Sequence, residues 1–302
     1  MIVKKTHIVP AGTKDMRLCD YARDAFPSIP SRKGIKKAIK RGEILLNGQP
    51  CDGAVWVKPG QQLQLVDPQA NPPKDYRISL DVVFEDEHLA IINKAPGIEV
   101  SGNKFKTVEN ALAGNLQISN EKDALPWPRP VHRLDYPTSG LLLIAKTKKA
   151  QVELGRQFEQ KTIQKRYRAV LIGEIPESGV IKTPVNEFAA ESAYRRVKTV
   201  DSLKSKVLTL VDLFPKTGRT HQLRIHMASL GCPILGDSLY GEEGMILRSK
   251  GLFLAAVELD FIHPASGREH NISIEQPAKF DSFLEREQRR FDNFDGSSHE
   301  KN

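Results

Sequence analysis

The 302-residue sequence predicts an α+β protein in which a small basic domain precedes a larger domain of strands and helices. Three observations support this fold class. Strand-like and helix-like patterns alternate irregularly from about residue 78 onward. Basic residues concentrate before residue 70, and a proline-rich stretch follows them. Hydrophobic residues make up 39% of the chain, which is enough for a sizeable core.

The first domain, predicted as residues 1–70, holds most of the net positive charge. It contains 12 Lys and Arg against 6 Asp and Glu, whereas the whole chain has a net charge of +8. Concentrated positive charge is typical of a protein that binds a polyanion such as nucleic acid, although a solvated helix face would carry the same charges. The candidate phosphate contacts are Arg32, Lys33, Lys36, Lys37 and Lys40.

Local signals define the elements of this first domain. Ser31 is a predicted N-cap for a basic helix, and Gly42 is its predicted end. A strand then leads into a tight turn at Asn47-Gly48, and a second strand alternates from Gln62 to Val66. The prolines that follow favour extended backbone, so residues 71–78 are predicted to be a linker.

The main domain is predicted to span residues 79–285. Two short strands flank an acidic turn at residues 85–87, and the apolar run at 141–147 has the length of a strand buried on both faces. Strand patterns also occur in "KRYRAVLIGEI" and "SKVLTLVDLFP". Helices are predicted in "RTHQLRIHMASLG", which ends at Gly231, and in "KKAQVELGRQFEQ", with apolar spacing at Val152, Leu154 and Phe158. Residues 286–302 are predicted to form a flexible tail.

Several classes of protein lack support in the sequence. No apolar run is long enough to cross a membrane and no leader is visible, so a cytoplasmic location is expected. The three cysteines are far apart, which argues against a disulfide framework or a thiolate zinc site. Neither a glycine-rich phosphate loop nor HExxH occurs, so no cofactor and no metal are expected. His221 and His226 are five residues apart, which would place them on different faces of a helix.

Asp135 is the strongest candidate for chemistry. It stands in "HRLDYPTSGLLLIAKT", where Pro137 and Ser139-Gly140 indicate a turn directly before the apolar strand. A carboxylate at this position serves as readily as a structural partner of an arginine. If buried, it needs a cation or becomes neutral, and a cationic partner would keep it nucleophilic or basic without a metal. The stretch "PKTGRTHQLRIH" offers Lys216, Arg219 and Arg224.

Three motifs resemble those of the RluA-type pseudouridine synthases. "HRLDYPTSGLLLIAKT" is similar to the catalytic motif of that family, whose aspartate falls on Asp135. "KRYRAVLIGE" places the family's tyrosine at Tyr167. "PKTGRTHQLRIH" places its partner arginine at Arg219 and an apolar contact at Leu223. The similarity runs from about residue 80 to 275, with the motifs in order.

This resemblance implies a mixed, mainly antiparallel bent sheet flanked by helices, and an isomerisation of uridine to pseudouridine in RNA without a cofactor. Asp135 would attack the ribose or abstract a sugar proton, and Arg219 would keep it charged. Tyr167 would support the extruded base. Arg133 would touch the RNA backbone or fill the space that the base vacates. Further candidate phosphate contacts are Lys94, Lys165 and Arg224.

The expected substrate is large-subunit ribosomal RNA, because the features of residues 14–67 resemble the alpha-L RNA-binding motif. In the family, such a module commonly accompanies ribosomal substrates. Three alternatives stay open: a synthase directed at tRNA, a non-catalytic RNA-binding factor of ribosome assembly, and a metal-dependent hydrolase. The last would use His221, His226 and Asp237.

Overall fold

Contacts between residues divide the chain into two units, residues 1–72 and 73–302. The computed structural model describes residues 2–67, 73–241, 244 and 250–299. Each unit has a hydrophobic core of its own. Parts of three predicted segments lie outside the described residues: the end of the first domain, the start of the linker and the end of the tail (68–70, 71–72 and 300–302).

The N-terminal unit pairs four strands in an antiparallel sheet against which two helices pack. The strands are β1 (Ile2–Ile8), β2 (Ile44–Leu46), β3 (Gln49–Pro50) and β4 (Gln62–Asp67), in the order β1-β4-β2-β3. The helices are α1 (Leu18–Ala25) and α2 (Arg32–Lys40).

Helix α2 has the caps that the sequence predicts. The Ser31 hydroxyl accepts a hydrogen bond from the Gly34 backbone N–H at 3.0 Å, which satisfies one of the free amides of the first turn. Gly42 takes a left-handed φ of +71° just after the helix. Ile35 and Ala38 are fully buried, so the lysines between them point to solvent.

The second unit is built on a ten-stranded sheet. Its strands are β5 (Asp81–Glu85), β6 (Leu89–Lys94), β7 (Ala124–Pro130), β8 (Ser139–Thr147), β9 (Gln164–Ile172), β10 (Ser178–Ile181), β11 (Ser192–Ser202), β12 (Lys206–Pro215), β13 (Leu254–Ile262) and β14 (Glu269–Ser273). The order is β10-β11-β12-β9-β13-β8-β6-β5, with β14 beside β13 and β7 beside β8. Only β8 and β13 pair in parallel among the described strands, so the mixed, mainly antiparallel sheet is confirmed.

Helices cover both faces of this sheet. They are α3 (Val108–Ala111), which continues as a 3-10 turn (Leu112–Gly114), α4 (Lys148–Glu159), α5 (Gln222–Ser229) and α6 (Lys279–His299). Side chains of a strand alternate between faces. In β9, Ala169 and Leu171 pack with α5, whereas Val170 and Ile172 pack with α6. Tyr167 therefore lies on the α5 face.

Two predictions about helices need correction. Val152 of α4 is 59% exposed, because the buried side of that helix is formed by Ala150 and Leu154. The chain stays helical to His299 instead of becoming a loose tail at residue 286. Contacts with β11 hold this part of α6 against the sheet, because Glu287 accepts a hydrogen bond from the Ser202 hydroxyl at 2.9 Å. Among the described residues, no helix combines the length and apolar character needed to cross a bilayer.

Candidate active site

A cavity of about 520 Å³ in the second unit brings the three sequence motifs together. Its lining includes residues 131–135 before β8, Lys165 and Tyr167 of β9, and the continuous stretch 215–224 that leads into α5. The volume falls in the range of about 300–1,000 Å³ that is usual for ligand sites. Segments far apart in sequence thus form one pocket around Asp135.

Asp135 lies on a fixed turn between β7 and β8. The Thr138 backbone N–H donates to the Asp135 carbonyl at 3.0 Å and closes the turn. Gly140, at the start of β8, has a φ of +110°, and a Cβ there would lie 2.1 Å from the Ala256 carbonyl oxygen. Only glycine allows β8 to approach β13 this closely. The backbone that carries Asp135 is therefore held at one place at the cavity wall.

Lys94 is buried beneath this turn with its ammonium bonded to backbone carbonyls, which corrects the prediction of a phosphate contact. It is fully buried, and its Nζ donates to the carbonyls of Ala95 and Ile98, both at 2.9 Å, and to that of Tyr136 at 3.4 Å. Burial lowers the pKa of Lys94 to about 8, although the nearby charge of Asp135 opposes this. The lysine thus joins the end of β6 to the residue after Asp135.

Arg224 is the arginine beside Asp135. Its Nη1 lies 4.0 Å from Oδ2 of Asp135, while Nε and Nη2 donate to the two carboxylate oxygens of Asp237, each at 2.7 Å. Burial alone would raise the pKa of the Asp237 carboxyl, but hydrogen bonds from Arg224 and from the backbone amides of Leu239 and Tyr240 hold that pKa below its ordinary value. The guanidinium is therefore locked in place with one edge toward Asp135.

Arg219, the predicted partner of Asp135, lies elsewhere on the cavity wall. Its Nε donates to the Ala189 carbonyl at 3.2 Å, and its guanidinium carbon lies 5.5 Å from the centroid of the Phe188 ring. The two arginines diverge because His221 takes a φ of +57° and redirects the chain just before α5. In the structure Arg224 and not Arg219 lies beside Asp135, although the family motif favoured Arg219 and Arg224 was also a candidate phosphate contact.

Tyr167 and Leu223 both line the cavity, as the motifs predict. Burial, followed by the nearby charge of Asp135, raises the pKa of the Tyr167 phenol well above its ordinary value, so the ring stays neutral. Leu223 is buried on α5. The sequence treated His221 only as a metal ligand. Its Nε2 lies 3.9 Å from Oδ1 of Asp135, and its Nδ1 makes a 3.0 Å hydrogen bond with the hydroxyl of Tyr240.

The remaining predicted cavity residues differ in exposure. Arg133 is exposed at the cavity next to Asp135. Lys165 is half-buried with its Nζ 5.7 Å from the centroid of the Phe158 ring, and burial lowers its pKa. His132 accepts a hydrogen bond from the Leu143 backbone N–H at 3.0 Å. Burial, followed by the charge of Lys165, lowers the pKa of His132 to about 3, so this imidazole is neutral near pH 7.

In the N-terminal unit, every predicted phosphate contact on α2 is exposed. Arg32 also forms an ion pair with Asp20, at 2.6 Å. A second cavity of about 660 Å³ is lined in part by Arg17, Arg32, Lys36 and Lys40. The Arg17 guanidinium lies 5.3 Å from the centroid of the Trp56 ring, which is 52% exposed. Positive charge beside an exposed aromatic ring is a surface suited to nucleic acid.

The side chains of the proposed metal hydrolase have other partners. His226 bonds to the Ser192 hydroxyl at 3.0 Å and to the Thr183 carbonyl at 2.9 Å, while Asp237 is paired with Arg224. Within the part of the chain that the structure describes, no three His, Cys, Asp or Glu side chains form a group able to hold a metal ion.

Comparison with solved structures identifies the fold. Human RNA Pseudouridylate Synthase Domain Containing 4 superimposes with a TM-score of 0.56 at 24% identity, over 68% of this chain and 92% of that chain. The sheet with its helices is thus the fold of a pseudouridine synthase, and the Asp135 cavity lies on it.

Comparison with sequences defines the family. The model of the RNA pseudouridylate synthase family matches residues 88–229. The chain is 34% identical to ribosomal large subunit pseudouridine synthase D of Zymomonas mobilis, over 82% of this chain and 86% of that protein. It is 32% identical to ribosomal large subunit pseudouridine synthase C of Rickettsia bellii, over 87% and 95%. The chain belongs to the RluA-type family of RNA pseudouridine synthases, which are isomerases acting on uridine in RNA.

Proposed function

We propose that this protein converts specific uridines of large-subunit ribosomal RNA to pseudouridine, with Asp135 acting on the ribose. The observation that carries the proposal is the pairing of Asp135 with the locked guanidinium of Arg224 inside the cavity. The guanidinium nitrogen lies 4.0 Å from Oδ2 of Asp135, so a fixed positive charge stands beside the carboxylate that would act on the ribose. The names of the relatives and the exposed basic helix α2 support ribosomal RNA as the substrate.

The proposed reaction is an isomerisation, so no chemical group is transferred from a second substrate. The bond between the ribose C1′ and the uracil N1 breaks, the base turns, and C1′ joins the ring carbon C5. The hydrogen of C5 leaves as a proton and N1 takes up a proton, so the product is an isomer of uridine. Asp135 attacks the ribose or removes a sugar proton to start this sequence. Tyr167 and Leu223, on β9 and α5, provide apolar surface for the base while it is detached. The uridine has to leave its stack to reach them.

RNA outside the pocket would be held by charge. Arg133 is exposed beside Asp135, where it fits the RNA backbone or the space left by the extruded base. Lys165 lines the pocket, and the basic residues of α2 provide further phosphate contacts. These contacts position the substrate, whereas the sequence of the RNA is read by other means.

Tritium release tests the proposal. Ribosomal RNA transcribed with uridine tritiated at C5 should lose tritium to water on incubation with the wild type. Asp135→Asn should reduce the rate by about 1,000-fold or more and leave RNA affinity unchanged, because the side chain keeps its shape and loses its charge. Arg133→Gln serves as a control that weakens binding instead.

Three outcomes would count against parts of the proposal. Equal rates for Asp135→Asn and the wild type would remove Asp135 from the reaction. Release from tRNA and not from ribosomal RNA would favour the tRNA-directed alternative. Tight binding without release from any RNA would favour the assembly factor.

A further inference from the structure

An exposed aromatic side chain lies against Arg219, one of the residues that line the cavity. Phe188 is 62% exposed and lies in the loop between β10 and β11. The backbone before it is strained, since Asn186 and Glu187 both have a left-handed φ, of +50° and +68°. Val185 and Phe188 close this turn with two backbone hydrogen bonds. A strained turn that displays a large apolar side chain to water suggests a function.

Arg219 joins this ring to the cavity. Its guanidinium lies against the Phe188 ring, 5.5 Å from the centroid, and the same side chain lines the Asp135 cavity. The hydrogen bond from Nε to the Ala189 carbonyl fixes the guanidinium beside the loop. A planar cation next to an aromatic ring makes a flat, positively charged surface. We call Phe188 and Arg219 the stacking pair.

The two segments that carry the stacking pair are joined by hydrogen bonds. The Lys216 N–H donates to the Glu191 carbonyl at 3.0 Å, and the Glu191 N–H donates to the Thr217 hydroxyl at 2.9 Å. The buried side chain of Gln222 donates to the Glu191 carbonyl and accepts from the Arg219 N–H, at 3.0 and 3.1 Å. The surface is therefore formed before any partner arrives, which lowers the entropy lost on binding.

We propose that the stacking pair holds the base of an unpaired nucleotide next to the target uridine. The inference rests on the proposed function, because it takes the cavity as the place of the extruded uridine. Arg219 belongs to both surfaces, so an RNA strand that enters the cavity passes over the stacking pair. Every base offers a flat π face to an aromatic ring, and arginine adds a cation–π contact and attracts phosphate. An apolar protein partner would cover Arg219 without supplying an anion.

Binding of a short oligouridine that carries 2-aminopurine beside its central uridine tests this inference. The Asp135→Asn protein is used throughout, so that turnover does not enter. Phe188→Leu and Phe188→Ala should weaken binding about tenfold, the share of one stacked base, and should abolish the quenching of 2-aminopurine. Phe188→Trp should retain both. Phe294→Ala is the matched control, since Phe294 is 61% exposed but lies on α6 and not in the loop between β10 and β11.

An abasic nucleotide in place of 2-aminopurine adds a second, independent readout. The abasic oligonucleotide should bind the protein with an intact Phe188 about tenfold more weakly than the 2-aminopurine oligonucleotide does. The Phe188→Ala protein should bind both oligonucleotides equally, because the side chain that stacks on the base is already absent. Two results would overturn the inference. One is a Phe188→Leu protein that binds the oligonucleotide as tightly as the protein with an intact Phe188, and the other is a tenfold loss of affinity for the abasic oligonucleotide in the Phe188→Ala protein. Failure of the proposed function would show separately, as wild type that releases no tritium.

Discussion

Replacing Arg224 by methionine removes the cation that lies between two carboxylates. The Arg224 side chain is 3% exposed, and that of Asp237, to which it makes two 2.7 Å hydrogen bonds, is fully buried. Removing one partner of a buried pair costs about 3–5 kcal/mol, because the other charge stays behind in a medium of low polarity. Domains are stable by about 5–15 kcal/mol, so we expect Arg224→Met to fold and to lose about 3–5 kcal/mol of its unfolding free energy at pH 7.

The loss should depend on pH in a definite direction. Burial would raise the pKa of the Asp237 carboxyl, but the bonds from Arg224 and two backbone amides outweigh it and depress that pKa. In the wild type this carboxyl adds stability above its unfolded pKa of about 3.9, and that stability is lost as pH falls through the folded pKa. In the variant burial dominates, so the folded pKa lies above the unfolded one and the ionised carboxyl destabilises the fold at neutral pH. The difference between the two proteins should shrink as the pH falls below about 5.

Urea unfolding followed by tryptophan fluorescence can measure this difference in one unit alone. The chain has two tryptophans, of which Trp56 lies in the first unit and Trp127 in the second. A Trp56→Phe background leaves Trp127 as the reporter of the unit that contains Arg224. Arg133→Met is the matched control, because this arginine is exposed at the same cavity and should change stability by about 0.5 kcal/mol or less. An equal loss at pH 7 and at about pH 4.5 would refute charge neutralisation as the role of Arg224.

Three further predictions test other parts of the molecule. Deleting residues 1–72 should weaken binding of ribosomal RNA and flatten its dependence on salt, because phosphate contacts that release counterions are lost; filter binding over a salt series would contradict this with an unchanged slope. Gly140→Ala should cost about 3 kcal/mol or more in urea denaturation, since its Cβ would meet the Ala256 carbonyl oxygen at 2.1 Å. Gly114→Ala, with no atom within 4 Å of the new Cβ, is the neutral control, and equal costs would contradict the steric argument. The unfolding free energy of the wild type should rise between about pH 8 and 10.5, because the folded pKa of Lys94 is about 8 and the unfolded chain binds the extra proton over this range. Lys94→Met should lack that rise, and a rise of the same size would assign it to other groups.

Features that depend on neighbouring residues could be predicted from the sequence. The Ser31 cap, the glycine that ends α2 and the turn at Asn47-Gly48 all rest on backbone chemistry within a few residues. The apolar run of β8 likewise predicted a buried strand, because consecutive apolar residues indicate burial without reference to distant segments. The order of the ten strands is set by contacts between distant segments, and periodicity carries no information about those. The family resemblance supplied the sheet class instead.

Lys94 shows that a single sequence does not reveal whether a charged side chain is exposed or buried. A lysine at the end of a strand is compatible with a phosphate contact or with a buried ammonium that binds carbonyls. The difference is decided by the backbone around it, where the carbonyls of Ala95, Ile98 and Tyr136 converge on its Nζ. Those carbonyls come from two segments about forty residues apart, and only the fold brings them together.

The two arginines of "GRTHQLR" show how one backbone angle divides a motif between two functions. His221 takes a left-handed φ of +57°, so the chain turns before α5 begins. Arg224, after this turn, points inward to Asp135 and Asp237, whereas Arg219, before it, lies against Phe188 at the cavity wall. The two positions therefore make separable contributions. Arg219→Lys keeps the charge and loses the flat guanidinium, so it should weaken RNA binding without changing the stability that Arg224 provides. A loss of stability in Arg219→Lys as large as that in Arg224→Met would show that the two arginines act as one structural unit.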